Sequence, residues 1–402
     1  MRHPGRWSAL AVLAVAGAWL LWGQPLQTPS PPSVSDASIP SASPPTSDAS
    51  TSTEGGGTNG APFSPAGLAA RKQQLALWQQ RYDRAEQVYS SYRDATRYPH
   101  GSHPISEHPD QVRPFEPVSE DKTLRDASGK AVKGLRLRTT QERVFLGGTE
   151  SVTFTIEAFD DNNKAVPLLV HQSLAQTIAD TSTPVTPIQA PVPFTDDGVG
   201  PDSTGSDGKY SARLSPATQG FANHAGTIRL LAQVSANGEQ GVAHFDVVYS
   251  PVVPATWLGT REAVESGSLN FYLKAQVQVA GRYVVSARVY DGNGKPFALL
   301  QFNEQVAAGV AEFKLQLFGA LLRDKNPTFP LRLVDVEGFL LRPDAFPDRS
   351  MMTRQSGVVH TSDRYGIDRF SSAEWNSEER ERYLKEYGRD LQEALDRITA
   401  LQ

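Results

Sequence analysis

The sequence predicts a mainly β fold: two tandem β-sandwiches, flanked by an N-terminal and a C-terminal amphipathic helix. Three observations predict it. Short runs of alternating apolar and polar residues, separated by Gly, Asn, Asp and Pro, fill 122–349. Apolar residues recur at helical spacing on either side of that stretch. The first 66 residues, an uncharged run followed by a Pro/Ser/Thr-rich one, leave room for only two β modules in a chain of 402.

Composition narrows the function classes. With no cysteine, the chain has no disulfide framework, Cys-based zinc site or thiol nucleophile. A formal net charge of −5 lacks the basic excess of polyanion binders, so no nucleic-acid partner is expected.

Residues 1–23 read as a signal anchor or signal peptide. Arg2 and Arg6 precede an uncharged run over 7–23, and the next Lys or Arg is Arg71. By the positive-inside rule everything after Gly23 lies across the membrane. Ala14, Ala16 and Ala18 offer small-residue cleavage patterns, but Leu20, Leu21 and Trp22 carry the apolar run past them. An uncleaved anchor is the expected reading. The bulk of the chain would then sit in the periplasm on the inner membrane, and would be periplasmic or secreted if the segment were cleaved. Residues 24–66 hold Asp36, Asp48 and Glu54 as their only charges among many Pro, Ser and Thr, a composition that predicts a disordered linker.

Residues 67–121 are expected to form a helix and a Pro/His-rich loop. Leu68, Leu75, Trp78, Tyr82, Ala85, Tyr89 and Tyr92 step by seven, three and four along one seam. Its aromatic content favours packing on a neighbouring element over a tight self-associating coiled coil. The loop that follows carries His100, His103, Glu107 and His108, donors suited to zinc or copper. Pro99, Pro104 and Pro109 rule out a single helix aligning them, so an ordered Pro-rich loop whose histidines are exposed or bond to backbone is the preferred reading and a metal site the alternative.

The first sandwich is placed at 122–250 and the second at 254–349, with Pro251 and Pro254 stiffening the joint. Phe159 ends one strand and is followed by Asp160, Asp161, Asn162, Asn163 and Lys164; Tyr290 ends another and is followed by Asp291, Gly292, Asn293, Gly294 and Lys295. Each reads as a hairpin, and the pair as an internal duplication. Asn237-Gly238 reads as a type I′ turn between two further strands.

One loop is more distinctive. Asp196, Asp197 and Gly198, then Asp202, then Asp207, Gly208 and Tyr210 resemble the loop of bacterial immunoglobulin-like modules of the choice-of-anchor type, found in exported proteobacterial proteins. The resemblance covers about 142–249 and implies that the first sandwich is immunoglobulin-like and that Tyr210 begins a strand; the second sandwich is expected to be immunoglobulin-like as well. Ser206 departs from the Gly that often precedes the second Asp-Gly pair. Asp196, Asp197, Asp202 and Asp207 are hard oxygen donors of the kind calcium selects. Asp residues also cap turns through backbone N–H groups, and that reading is preferred; no cofactor is expected, with calcium the one alternative.

Residues 350–402 are expected to be a polar segment and a helix. Ser377 is the N-cap, and Leu384, Tyr387, Leu391, Leu395 and Ile398 form one face, expected to dock on the second sandwich, with pairing to the first helix or self-association as alternatives. No nucleophile elbow, H-E-x-x-H helix, phosphate loop or dinucleotide fingerprint occurs. The function expected is a membrane-tethered binding or structural protein without catalysis, with an envelope protein as partner. The alternatives are a metal-binding protein or metal-dependent enzyme using the loop from His100 to Asp110, and a scaffold in an envelope or secretion assembly.

Overall fold

A computed structural model describes residues 65–126, 128–179 and 187–402. The expected anchor and almost all of the expected linker lie outside the described residues. Among the described residues no helix is long and apolar enough to cross a membrane. Among the described residues the chain is mainly β, with several antiparallel sheets and three α-helices. It divides into two units, one containing 65–89 with Lys385–Gln402, the other Ser90–Leu384.

In chain order the elements begin with helix α1 (Pro65–Ala95) and the short strand β1 (Ser102–Pro104). Next come β2 (Val118–Arg125), β3 (Ala131–Gln141), β4 (Phe145–Gly147), β5 (Val152–Phe159), β6 (Leu168–Thr177), β7 (Gln189–Pro191), β8 (Tyr210–Leu214), β9 (Gly226–Ala236) and β10 (Glu239–Ser250). Strands β2-β3-β5-β8 form one sheet and β4-β10-β9-β6-β7 the other, with β4 parallel to β10. In β5 the alternation predicted from sequence is realised: Val152, Phe154, Ile156 and Ala158 are buried and the residues between them half-exposed. Each large buried side chain contributes about 1.5–3 kcal/mol. Phe154 meets Phe245 of the facing sheet at 4.7 Å between ring centroids, closing the first core.

The second sandwich comprises β11 (Ala255–Glu265), β12 (Ser268–Val277), β13 (Gly281–Tyr290), β14 (Pro296–Val306), β15 (Gly309–Leu317), the short helix α2 (Gly319–Lys325), β16 (Arg332–Leu341), β17 (Arg349–Met351) and β18 (Gln355–Thr361). Sheet β11-β12-β15 faces sheet β1-β14-β13-β16, to which both β17 and β18 add along β16. Two expectations change here. The second sandwich recruits β1 from far upstream, where a loop was expected. It also extends past residue 349, since β17 and β18 are strands and Met352 and Phe370 are core residues. Their sequence is too short and too polar to show alternation, because pairing to β16 rather than a long apolar face holds them.

The joint between the sandwiches is packed. Ser250 and Ser350 hydroxyls lie 3.2 Å apart and buried, and the Arg349 guanidinium covers the rings of Phe145 at 4.5 Å and Phe339 at 4.9 Å. Gly147 sits so close that a Cβ there would meet the Met351 carbonyl oxygen at 2.7 Å.

The expected duplication resolves differently. In both Asp-x-Asn-x-Lys loops the first Asp accepts the N–H groups two and four residues on: Asp160 from Asn162 and Lys164, Asp291 from Asn293 and Lys295. A third copy, unnoticed in the sequence, has Asp126 accepting from Ser128 and Lys130. The fourth loop residue has positive φ each time: Gly129 at 82°, Asn163 at 65°, Gly294 at 84°. Yet β13 and β14 pair along their length, whereas β5 and β6 lie in different sheets and only Phe159 and Ala165 bridge. One turn solution has been used at non-equivalent places.

Helix α3 (Glu378–Leu401) completes the chain. Ser377 is its N-cap, accepting from the Arg380 N–H at 3.1 Å. In the smaller unit α3 runs antiparallel to α1: Arg71 Nε donates to the Leu401 carbonyl at 2.8 Å, and the Arg397 guanidinium lies 5.8 Å from the Trp78 ring. Pairing therefore replaces the docking expected for this part of the helix. Along α1 the predicted seam from Leu75 to Tyr92 is its less exposed face, while Leu68 is exposed. On α3, Ala394 rather than Leu395 is buried beside Ile398.

Candidate metal centre

The loop from His100 to Asp110 is built on strand pairing. Ser102, His103 and Pro104 lie opposite Leu300, Leu299 and Ala298, so the His103 backbone is fixed by β14. Buried Ser102 accepts the Phe318 N–H at 3.0 Å. Pro104 then ends the strand and a single 3-10 turn, Ile105–Glu107, reverses the chain around buried Ile105. A second turn, Pro109–Gln111, follows. The prolines do prevent a long helix, but strand plus turn achieves what a helix would have done.

As a result one donor atom each of His103, Glu107 and His108 lie within 4.8 Å of one another. His103 Nδ1 is 4.0 Å from Glu107 Oε2, and the His103 and His108 rings are 5.3 Å apart, edge to face. His100 stays outside this set; its ring lies 6.1 Å from that of Trp375. Burial, reinforced by neighbouring His108, lowers the His103 pKa to about 4, and burial also lowers that of His108. Both imidazoles are therefore neutral near pH 7, the form that ligates metal.

Behind the loop lies a fully buried Arg288. It donates to the Gln111 carbonyl at 2.9 Å, to Gln111 Oε1 at 2.8 Å, to the Asp335 carbonyl at 3.1 Å and to Glu337 at 3.2 Å. Its register partner region in β16 is bulged, with Asp335 at φ 53°, and the bulge turns that carbonyl toward the guanidinium. Sequence reading missed Arg288, since an Arg in a strand of apolar residues signals nothing about a distant loop.

The Asp loop gathers Asp196, Asp202 and Asp207 within the same 4.8 Å limit but leaves Asp197 outside. Their carboxylates already cap turns. Asp196 accepts from Asp207 N–H at 3.1 Å and Gly208 N–H at 3.0 Å; Asp202, buried, accepts from Gly198 N–H at 2.6 Å; Asp207 accepts from Lys209 N–H at 2.9 Å. Asp197 accepts from Val199 N–H at 3.0 Å. These bonds account for the carboxylates structurally. Tyr210 begins β8, and Ser206 holds a φ of 62°.

A further constellation was not foreseen. Glu262 on β11 accepts from Tyr365 OH at 2.8 Å and from Asp363 N–H at 2.7 Å, and its other oxygen lies 3.1 Å from His360 Nε2 on β18. Burial, with the Glu262 hydrogen bond, raises the Tyr365 pKa to about 12. The group ties the open edges of the two sheets together. Of the other histidines, His171 bonds Ser235 at 2.7 Å and His224 lies 3.3 Å from the Thr227 carbonyl. His244 borders a cavity of about 330 Å³ with Lys122, Arg125, Leu137, Thr139 and Val242.

No protein-family model and no curated protein matches the chain. Among solved structures it is similar to a DUF4785 family protein from Legionella pneumophila, at 13% identity and a TM-score of 0.38, over 56% of this chain and 57% of that one. A chimeric titin Z1Z2 carrying a KLER peptide from decorin matches at 11% identity and a TM-score of 0.17, over 59% and 93%. Neither TM-score reaches that of a shared overall arrangement, and the chain spans a little over half of the Legionella protein's length.

Proposed function

We propose that the chain is a membrane-tethered, extracytoplasmic binding or structural protein that presents two immunoglobulin-like β-sandwiches, without catalysis. The observation that carries this reading is strand order. In the first sandwich β3-β5-β8 faces β10-β9-β6-β7, with β4 parallel to β10; in the second β11-β12-β15 faces β14-β13-β16. Lettered along the chain, each is an A-B-E sheet against a sheet containing C′-C-F, the arrangement of immunoglobulin folds. The Asp loop leading into Tyr210 supports kinship of the first module with choice-of-anchor modules. The charge asymmetry around residues 7–23 supports export and anchoring in the inner membrane, a location where the partner would be another envelope protein.

The test is protease added to intact spheroplasts of cells making the full chain, followed by membrane fractionation. Loss of the β modules with a protected membrane-bound N-terminal fragment is expected. A full-length chain protected in the soluble cytoplasmic fraction would overturn the proposal. Crosslinking in the same cells separates a scaffold, which would be recovered in a fixed stoichiometric assembly, from a binding protein with exchangeable partners.

A further inference from the structure

We propose that His103, Glu107 and His108 form a binding site for a divalent transition metal of the zinc class. This inference does not rest on where the protein resides or what its sandwiches present. It rests on the donor set, its spacing and the frame that holds it.

Two imidazoles and one carboxylate make a borderline donor set, matched to zinc and unlike the all-oxygen cages of calcium or magnesium. At metal–ligand bonds of 2.0–2.1 Å, tetrahedral donors are about 3.4 Å apart. The three donors, mutually within 4.8 Å, need to close by about 1.4 Å at most. Glu107 can supply that movement, because its side chain is 58% exposed and its 3-10 turn is followed directly by His108.

The frame is stiff where the imidazoles attach. His103 is held by strand pairing to Leu299, Ile105 is buried between the ligands, and Arg288 grips both the backbone and the side chain of Gln111 just beyond His108. The His108 N–H donates to the Ile105 carbonyl at 2.9 Å, tying the second imidazole to the wedge that positions the first. Such a frame lowers the ordering cost of ligation. With three protein ligands the fourth position is left for water or for a group on a partner.

The test is titration of the purified, chelator-treated full chain with Zn²⁺ against a chromophoric chelator, and with Co²⁺ followed by visible absorption. One equivalent of Zn²⁺ and intense visible Co²⁺ bands are expected. Glu107→Gln, on an exposed side chain, should fold normally and weaken Zn²⁺ binding by about a hundredfold, the upper end of what even indirect partners of a metal contribute. His103→Ala and His108→Ala should abolish the Co²⁺ bands. His100→Ala should leave affinity within about threefold, because His100 lies outside the set. Absence of stoichiometric Zn²⁺ binding, or unchanged affinity in Glu107→Gln with loss in His100→Ala, would overturn the site.

Discussion

Ser206 is an L-residue held at a φ of 62°, in the position where the resembling modules often carry Gly. The left-handed region costs a residue with a Cβ about 1–2 kcal/mol. Ser206→Gly should therefore stabilise the chain by about 0.5–1 kcal/mol net of the added unfolded-state freedom, read as a higher urea midpoint. Gly294→Ala, at φ 84° in the loop that begins at Asp291, should do the reverse by about 1 kcal/mol. A second expectation concerns protons. Burial lowers the pKa values of His103, His224 and His244, His103 to about 4. Between pH 4 and 6.5 the unfolded chain thus binds more protons than the folded one, so stability should rise with pH through that window and be lost as pH falls through it. Urea midpoints of the chelator-treated protein at pH 4.5 and 6.5 check the sign, and His103→Gln should flatten the slope. At this scale the sequence was only partly legible. Residue types at 100–108 marked candidate donors, but which three converge depends on pairing with Leu299, a partner far along the chain.

Elements were more legible where one face is buried. The strand ending at Phe159, the Asn237-Gly238 turn and the Ser377 cap follow from local physics: alternation, positive φ values of 50° and 84°, and an orphan N–H in need of an acceptor. Strands β1, β17 and β18 were not legible, because they are held by neighbours rather than by their own pattern. Two polar clusters now explain how such strands stay in place. Arg288→Met would strand the buried Glu337 carboxylate and release Gln111, at a cost of about 3–5 kcal/mol. Chemical denaturation should show that loss, with increased hydrogen exchange at the 3-10 turn Pro109–Gln111. Glu262→Gln should cost less, since an amide still accepts from Tyr365 and Asp363, and its effect should appear as exchange along β18.

For the whole molecule the two units have different means of support. The β unit has two closed cores, while the helical unit has one aromatic seam whose residues remain half-exposed. Paired helices with so little buried area should unfold first. Thermal melting is expected to show an early loss of helical circular dichroism, with the near-ultraviolet signal of the β cores persisting to higher temperature; a single coincident transition would contradict this. The borders of the β region were not legible from length and composition, because 102–104 and 349–361 join a sheet whose other strands lie between them. The antiparallel helices carry one more consequence. Arg71 meets Leu401, so the chain enters α1 and leaves α3 at the same end of the pair, with Pro65 only about 9 Å of helical rise beyond that contact. The fold is therefore nearly a closed circuit: a short bridge from Gln402 to Pro65, with new ends opened at Asn237-Gly238, should give a circular permutant with the same sheets.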